Sequence, residues 1–213
     1  MVQTLVSAIR FTSRQRCNLS PKPALILAST SPFRRELLER LGLPFTVEAP
    51  DVDEAHLPGE PPTERALRLA AAKAEAVALR HPGAVVIGSD QVAAVGGVVL
   101  DKPGTIERAH QQLKHLSGSQ AHFHTACALR WHNTGFSVNH LQTVTVTVRD
   151  LTPAEIENYV AREQPLNCAG SFKSEGLGIA LFSRIESEDP TALVGLPLIW
   201  VAGALRQAGF SLF

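Results

Sequence analysis

The chain has 213 residues, 45% hydrophobic and 19% charged, with twenty basic residues balancing twenty acidic ones. That length and balance suit one large globular domain with its own core, and they exclude chain-wide disorder and a strongly basic nucleic-acid binder. Three widely spaced cysteines, Cys17, Cys127 and Cys168, build neither a disulfide framework nor a Cys-x-x-Cys site, which points to a reducing compartment, the cytoplasm; no apolar run is long enough to span a membrane.

Residues 1–22 carry Arg10, Arg14, Arg16 and Lys22 and no acid. They read as a disordered extension, or as a reading frame begun too far upstream, ahead of a domain over residues 23–213, although their composition loosely mimics a transit peptide. Ala24–Thr30 is a short apolar run that predicts a buried strand. Ser31-Pro32 then supplies a helix cap and a proline at the first helical position, and Leu37, Leu38 and Leu41 recur at helical spacing up to Gly42. Phe45–Ala49 predicts a second strand and His56–Pro62 a loop. A helix opens at Thr63, with Leu67, Ala70, Ala71, Ala74, Val77 and Ala78 as its apolar stripe.

Ala84–Gly88 predicts a third buried strand. Val92–Val95 and Val98–Leu100 flank Gly96-Gly97, a hairpin signal. A helix follows from Thr105 to about Leu116. Residues 121–130 and 136–149 read as two long strands around Asn133-Thr134-Gly135; the second alternates Val144, Val146 and Val148 with Thr143, Thr145 and Thr147. Thr152-Pro153-Ala154-Glu155 is a capping box. The glycine-rich segment 168–178 precedes a strand expected at Ile179–Phe182, and Leu196 to Gln207 closes the chain as a helix. Interleaved strands and helices with a hairpin and a long strand pair predict an α/β domain: a mixed central sheet with helices on both faces.

Several segments carry groups suited to phosphate chemistry. Ser29-Thr30-Ser31-Pro32-Phe33-Arg34-Arg35 takes a buried strand into a helix start, where free N–H groups and the helix dipole favour anions and arginine adds a planar fork. Gly88-Ser89-Asp90-Gln91 puts an acid at the expected end of an apolar strand, where α/β sheets place ligands. Lys102 stands beside a Pro-Gly turn. Asp51, Asp53 and Glu54 cluster as oxygen ligands of the kind Mg²⁺ or Mn²⁺ prefers. Lys73 lies at the edge of the apolar stripe, and Glu175 sits among glycines that let a ligand approach the backbone. Taken singly, each segment also admits an ordinary reading as a helix cap, a solvated turn or a snorkelling lysine. Walker-type, dinucleotide-binding and Gly-x-Ser-x-Gly signatures are absent.

Together, these segments resemble the Maf family of nucleoside triphosphate pyrophosphatases over roughly residues 24–210. The motifs are Ser29 to Arg35, Asp53-Glu54, Arg68-Leu69-Ala70 with Lys73, Gly88-Ser89-Asp90, Lys102-Pro103, Leu116-Ser117-Gly118 and Val194-Gly195-Leu196-Pro197, in that order. The resemblance implies a fold related to the inosine-triphosphate pyrophosphatases. It also implies cleavage between the α and β phosphates with a divalent cation (Mg²⁺, Mn²⁺ or Co²⁺), in a protein that is often a homodimer. On matching positions Asp90 is the proton acceptor, with Lys73, Lys102 and Arg34 completing the catalytic set. Ser29, Ser31, Phe33, Arg35, Gln91 and Glu175 would bind substrate, and Glu54 with Asp90 the metal. The sequence leaves open whether Asp90 serves as base or as metal ligand.

Phe33, Gln91 and Glu175 resemble the members that act on 7-methyl-GTP, whereas members acting on dTTP and UTP have Arg, Thr and Gln there. Two departures stand out: Phe33 replaces a frequent Trp, and Asp101 replaces a frequent Gly beside Lys102. A methylated guanine is cationic, so an aromatic face attracts it by about 0.5–2 kcal/mol. Its adjacent N–H donors match a carboxylate. The same chemistry on dTTP, UTP or another modified nucleotide, and a non-catalytic regulator of septum formation that binds nucleotide or nucleic acid, are the alternatives. The neutral overall charge argues against nucleic acid as a partner.

Overall fold

The computed structural model describes residues 23–213. The expectation for residues 1–22 lies outside the described residues. Among the described residues seven strands form one mixed sheet: β1 (Leu25–Ala28), β2 (Thr46–Glu48), β3 (Val85–Val95), β4 (Val98–Leu100), β5 (Gln120–Trp131), β6 (Phe136–Val148) and β7 (Phe182–Glu186). Their order is β2-β1-β3-β5-β6-β7, with β4 beside β3. Pairings β1–β2 and β1–β3 are parallel and the rest antiparallel.

The helices are α1 (Pro32–Glu39), α2 (Pro62–Arg80), α3 (Ile106–Leu116), α4 (Pro153–Glu163) and α5 (Leu198–Gln207). Their ends follow local chemistry. Ser31, Thr105 and Thr152 each accept a hydrogen bond from the backbone N–H three residues on, and Thr152 with Glu155 closes the expected capping box. The second helix begins one residue ahead of Thr63, with Pro62 in its first turn. No helix among the described residues is long and apolar enough to cross a membrane.

One sheet face packs on α2, through Val86 and Val92 of β3 against Ala66, Ala70, Ala74 and Val77. The opposite face packs on α1 and α5 at one end, through Val85, Ile87 and Leu129, and on α3 and α4 at the other, through Phe123, Val144 and Val146. The small residues of α2 let it lie close on β3. A Cβ on Gly88 would meet the Ala70 and Ala74 backbone, 2.5 Å from the Ala74 nitrogen.

Two sequence expectations are corrected. Ala84–Gly88 and Val92–Val95 are not separate strands. They belong to one eleven-residue strand, β3, because β5 pairs with it continuously from Val86 to Ala94. Asp90 therefore lies inside a strand, just past the end of its parallel pairing with β1 at Gly88. The strand expected at Ile179–Phe182 is instead a 3-10 turn over Leu177–Leu181, and β7 begins at Phe182. The Gly176 and Gly178 amides both bond the Lys173 carbonyl, folding this segment onto its own backbone, and Gly178 has no room for a Cβ there.

Candidate active site

On the side of β3 opposite β5, β1 pairs as far as Gly88 and β4 begins at Ala93. Among the described residues no strand covers those between, and the cavity opens there. It encloses about 950 Å³. Ser29, Ser31, Phe33, Arg34, Glu54, Lys73, Asp90, Gln91, Lys102 and Glu175 all line it. Arg35 does not: it points to solvent and pairs with Glu39 one turn on, at 2.9 Å. Adjacent helical residues point roughly 100° apart, so α1 can aim only one of its two arginines inward.

Leu25–Ala28 anchor the first wall in the core, and the chain leaves it through buried Ser29. Arg34 reaches back from α1. Its Nε donates to the Gly195 carbonyl at 2.9 Å, and its Nη1 lies 3.4 Å from Ser29 Oγ. The Ser89 hydroxyl lies 2.9 Å from the same Gly195 carbonyl, which joins β3, α1 and the 191–197 segment. Burial lowers the Arg34 pKa, while Asp90, Cys127 and Glu54 oppose that shift by attraction.

Lys73 emerges from α2 beneath this wall and is only 6% exposed; Asp90 is 7% exposed. The Lys73 ammonium lies 2.6 Å from Asp90 Oδ1 and 2.7 Å from Glu54 Oε1. Snorkelling to bulk water is thus not what this lysine does; its charge is spent on two carboxylates. Desolvation pushes the Glu54 pKa up, but the Lys73 hydrogen bond and the positive fields of Lys73, Lys102 and Arg34 outweigh it and leave the group below its usual value. Glu54 itself stands on an exposed loop held from α2: Arg68 takes the Glu60 carboxylate with two nitrogens and the Ala55 carbonyl with one.

The metal expectation can be tested on these groups. Among the described residues, no group of three or more His, Cys, Asp or Glu side chains is placed to hold an ion. A hard divalent cation at a phosphate site, however, is commonly bound by one or two carboxylates together with phosphate oxygens and water. Glu54 and Asp90 fit that donor set, with the Lys73 ammonium between them in the free protein.

The far end of the cavity holds Phe33, Phe172, Lys173 and Glu175. Lys173 Nζ lies 5.8 Å from the Phe33 ring centre and 3.6 Å from Glu163. Glu175 is exposed and accepts a hydrogen bond from Ser174 Oγ at 2.7 Å. Gln91 turns its amide nitrogen inward to Thr125 Oγ1 and to the Ala192 and Leu193 carbonyls, so this end of the side chain holds the neighbouring loop.

Arg65 also lines the cavity and was not singled out by the motifs. Its signal is periodicity. Arg65, Leu69 and Lys73 recur every four residues along one helical edge, which gives the stripe a second cation. Asp101 faces Arg65 Nη1 at 3.5 Å and His56 Nε2 at 3.4 Å.

The Maf family model, described as Maf-like protein, matches residues 24–208. A Xanthomonas campestris protein named 7-methyl-GTP pyrophosphatase is 60% identical over 190 residues, which cover 89% of this chain and 98% of that protein. A Polaromonas protein of the same name is 58% identical, covering 89% of this chain and 86% of its own. A solved HAM1 protein structure from Coxiella burnetii is similar at 16% identity and a TM-score of 0.48, covering 87% of this chain and 99% of that one. With a family match over most of its length and relatives sharing more than half of its residues, the chain belongs to the Maf family.

Proposed function

We propose that residues 23–213 form a nucleotide pyrophosphatase that hydrolyses 7-methyl-GTP to 7-methyl-GMP and pyrophosphate. The observation that carries this reading is the buried Asp90 carboxylate, 2.6 Å from the Lys73 ammonium in a cavity that Arg34, Lys102 and the Ser29–Ser31 turn also line. The relatives named for the same activity support it. Two described cysteines, Cys127 and Cys168, are free thiols, in keeping with a cytoplasmic setting.

Cleavage needs water to attack the α phosphorus in line with departing pyrophosphate, so the barrier is mainly one of positioning and charge. Asp90 orients that water and takes its proton. Arg34, Lys73 and Lys102 offset the charge that grows on the phosphate oxygens, and the backbone N–H groups at the start of α1 add fixed dipoles. With Asp90 as the base, Glu54 would hold a divalent cation together with phosphate oxygens and water, and the cation when bound supplies further charge neutralisation for the phosphate chain. Phe33 offers its ring to the cationic base, and Glu175 accepts from the guanine N–H donors.

The test is a panel of 7-methyl-GTP, GTP, UTP and dTTP, with Mg²⁺, Mn²⁺, Co²⁺ or a chelator. Pyrophosphate, orthophosphate and monophosphate release are all measured. Pyrophosphate release with 7-methyl-GTP giving the highest kcat/KM is expected. A preference for UTP or dTTP would reject the base assignment, and orthophosphate release would reject the site of cleavage. An inert, folded, metal-supplied sample would reject the activity.

A further inference from the structure

Asp101 puts a carboxylate next in sequence to Lys102, at the rim of a cavity whose other groups suit a polyanion. Left bare, that charge would repel a phosphate chain and compete for the Lys102 ammonium. The structure directs it elsewhere. Asp101 Oδ1 faces Arg65 Nη1 at 3.5 Å, while Gln112 Nε2 holds the Asp101 carbonyl at 2.9 Å and fixes the backbone of the turn. The Arg65 side chain is only 12% exposed. Its Nη2 lies 3.4 Å from the Glu54 carbonyl. Its Nε is shielded from solvent and meets no partner among the described residues, so the guanidinium keeps its place through its two terminal nitrogens. Half-exposed His56 reaches the same Asp101 oxygen at 3.4 Å.

We propose that Arg65 is a positioning residue: it latches Asp101 and the Glu54 loop to α2, and it silences the Asp101 charge beside Lys102 so that the rim accepts the phosphate chain of the substrate. This rests on the reading that a phosphate chain occupies the cavity. One guanidinium thereby joins the three segments that carry Lys73, Glu54 and Lys102. Exposed ion pairs contribute little. Here the Arg65 side chain is mostly buried although Asp101 is half exposed, and its two terminal nitrogens reach two different acceptors, a geometry that a lysine reproduces poorly. The pair acts on binding of the phosphate chain and not on the proton transfer at Asp90, so KM and kcat separate.

The experiment compares wild type, Arg65→Gln, Arg65→Gln/Asp101→Asn and Arg65→Lys. Inorganic pyrophosphate binding is measured calorimetrically without metal, and kcat and KM are measured on 7-methyl-GTP. Arg65→Gln is expected to weaken pyrophosphate binding and raise KM about tenfold, with kcat changed less than about threefold. Asp101→Asn in that background recovers about half or more of the lost pyrophosphate affinity, because the bare charge is gone. The part of the KM defect that comes from the released Glu54 loop remains, and Arg65→Lys falls between wild type and Arg65→Gln. Arg65→Met serves the same comparison if the glutamine variant does not fold. Equal pyrophosphate affinity in Arg65→Gln and the double variant overturns the proposal. So does a wild type that binds no pyrophosphate, or a loss confined to kcat. The expected pyrophosphate-binding pattern in a protein that leaves 7-methyl-GTP intact upholds the Arg65 proposal and rejects the proposed activity. Turnover of 7-methyl-GTP without the pattern does the reverse.

Discussion

Lys73 and Asp90 meet at 2.6 Å from opposite sides of a helix–sheet interface, with less than a tenth of either residue exposed. Two buried charges at this distance are tolerated because each answers the other, and Glu54 adds a second acceptor at 2.7 Å. The contact depends on α2 lying flat on β3, and the catalytic hypothesis depends on the contact.

Replacing Asp90 by Asn keeps the side-chain shape and removes the proton-accepting charge. Turnover of 7-methyl-GTP should fall about a thousandfold, within the range that a positioned base supplies, while the nucleotide still binds. Glu54 continues to neutralise Lys73, so the fold should survive in circular dichroism. Turnover near the wild-type level would remove Asp90 from the base role.

Gly88→Ala tests the geometry behind that pair. The new methyl group meets backbone of α2 and not a flexible side chain, so the helix must lift from β3. Overpacking of this kind costs about 3 kcal/mol and would draw Lys73 away from Asp90. Chemical denaturation should show the loss, and kcat should drop with it. A variant as stable and active as wild type would show that α2 can shift freely.

Base preference should follow Phe33 and Glu175. Phe33→Arg combined with Glu175→Gln removes the aromatic face and the carboxylate acceptor. Selectivity for 7-methyl-GTP over UTP should fall by about a hundredfold, read as a ratio of kcat/KM values. An unchanged ratio would place base recognition on other cavity residues, with Lys173 beside Phe33 the next to examine.

The start of α4 carries a pH signature independent of the cavity. Hydrogen bonds from the Thr152 backbone, Arg149 and the Thr152 hydroxyl depress the Glu155 pKa from 4.5 to about 2. A carboxyl group depressed on folding stabilises the fold above its unfolded pKa, and that contribution is lost as pH falls through the folded value. Thermal melting of wild type and Glu155→Gln should therefore differ at neutral pH. The gap should close between about pH 4.5 and pH 2. A gap that persists below pH 2 would mean that charge at this cap is not its source.

Much of the fold was legible before any coordinates because its signals are local. Ser31, Thr105 and Thr152 cap helices through side-chain oxygens only three residues from the N–H groups they satisfy. The Val–Thr alternation of β6 puts Val144, Val146 and Val148 into the core by pleat geometry alone. The two misread segments depended on distant partners. Serine and aspartate at 89 and 90 resemble a strand end until β5 is seen to pair across them, and Ile179–Phe182 has strand composition but is curled by the hydrogen bonds to Lys173.

The candidate site divides along the same line. Which residue types serve phosphate chemistry could be read from the chain, as could the order of their motifs. Their mutual distances could not, because Glu54, Lys73 and Asp90 converge only after α2 packs on β3. Helical rotation, and not sequence, separates Arg34 in the cavity from Arg35 in solvent. Likewise, Asp101 reads as a misplaced charge beside Lys102 until Arg65, from a helix distant in sequence, is found to meet it. Residue chemistry is carried by the chain itself; proximity is decided by the packing of elements whose contacts no local pattern encodes.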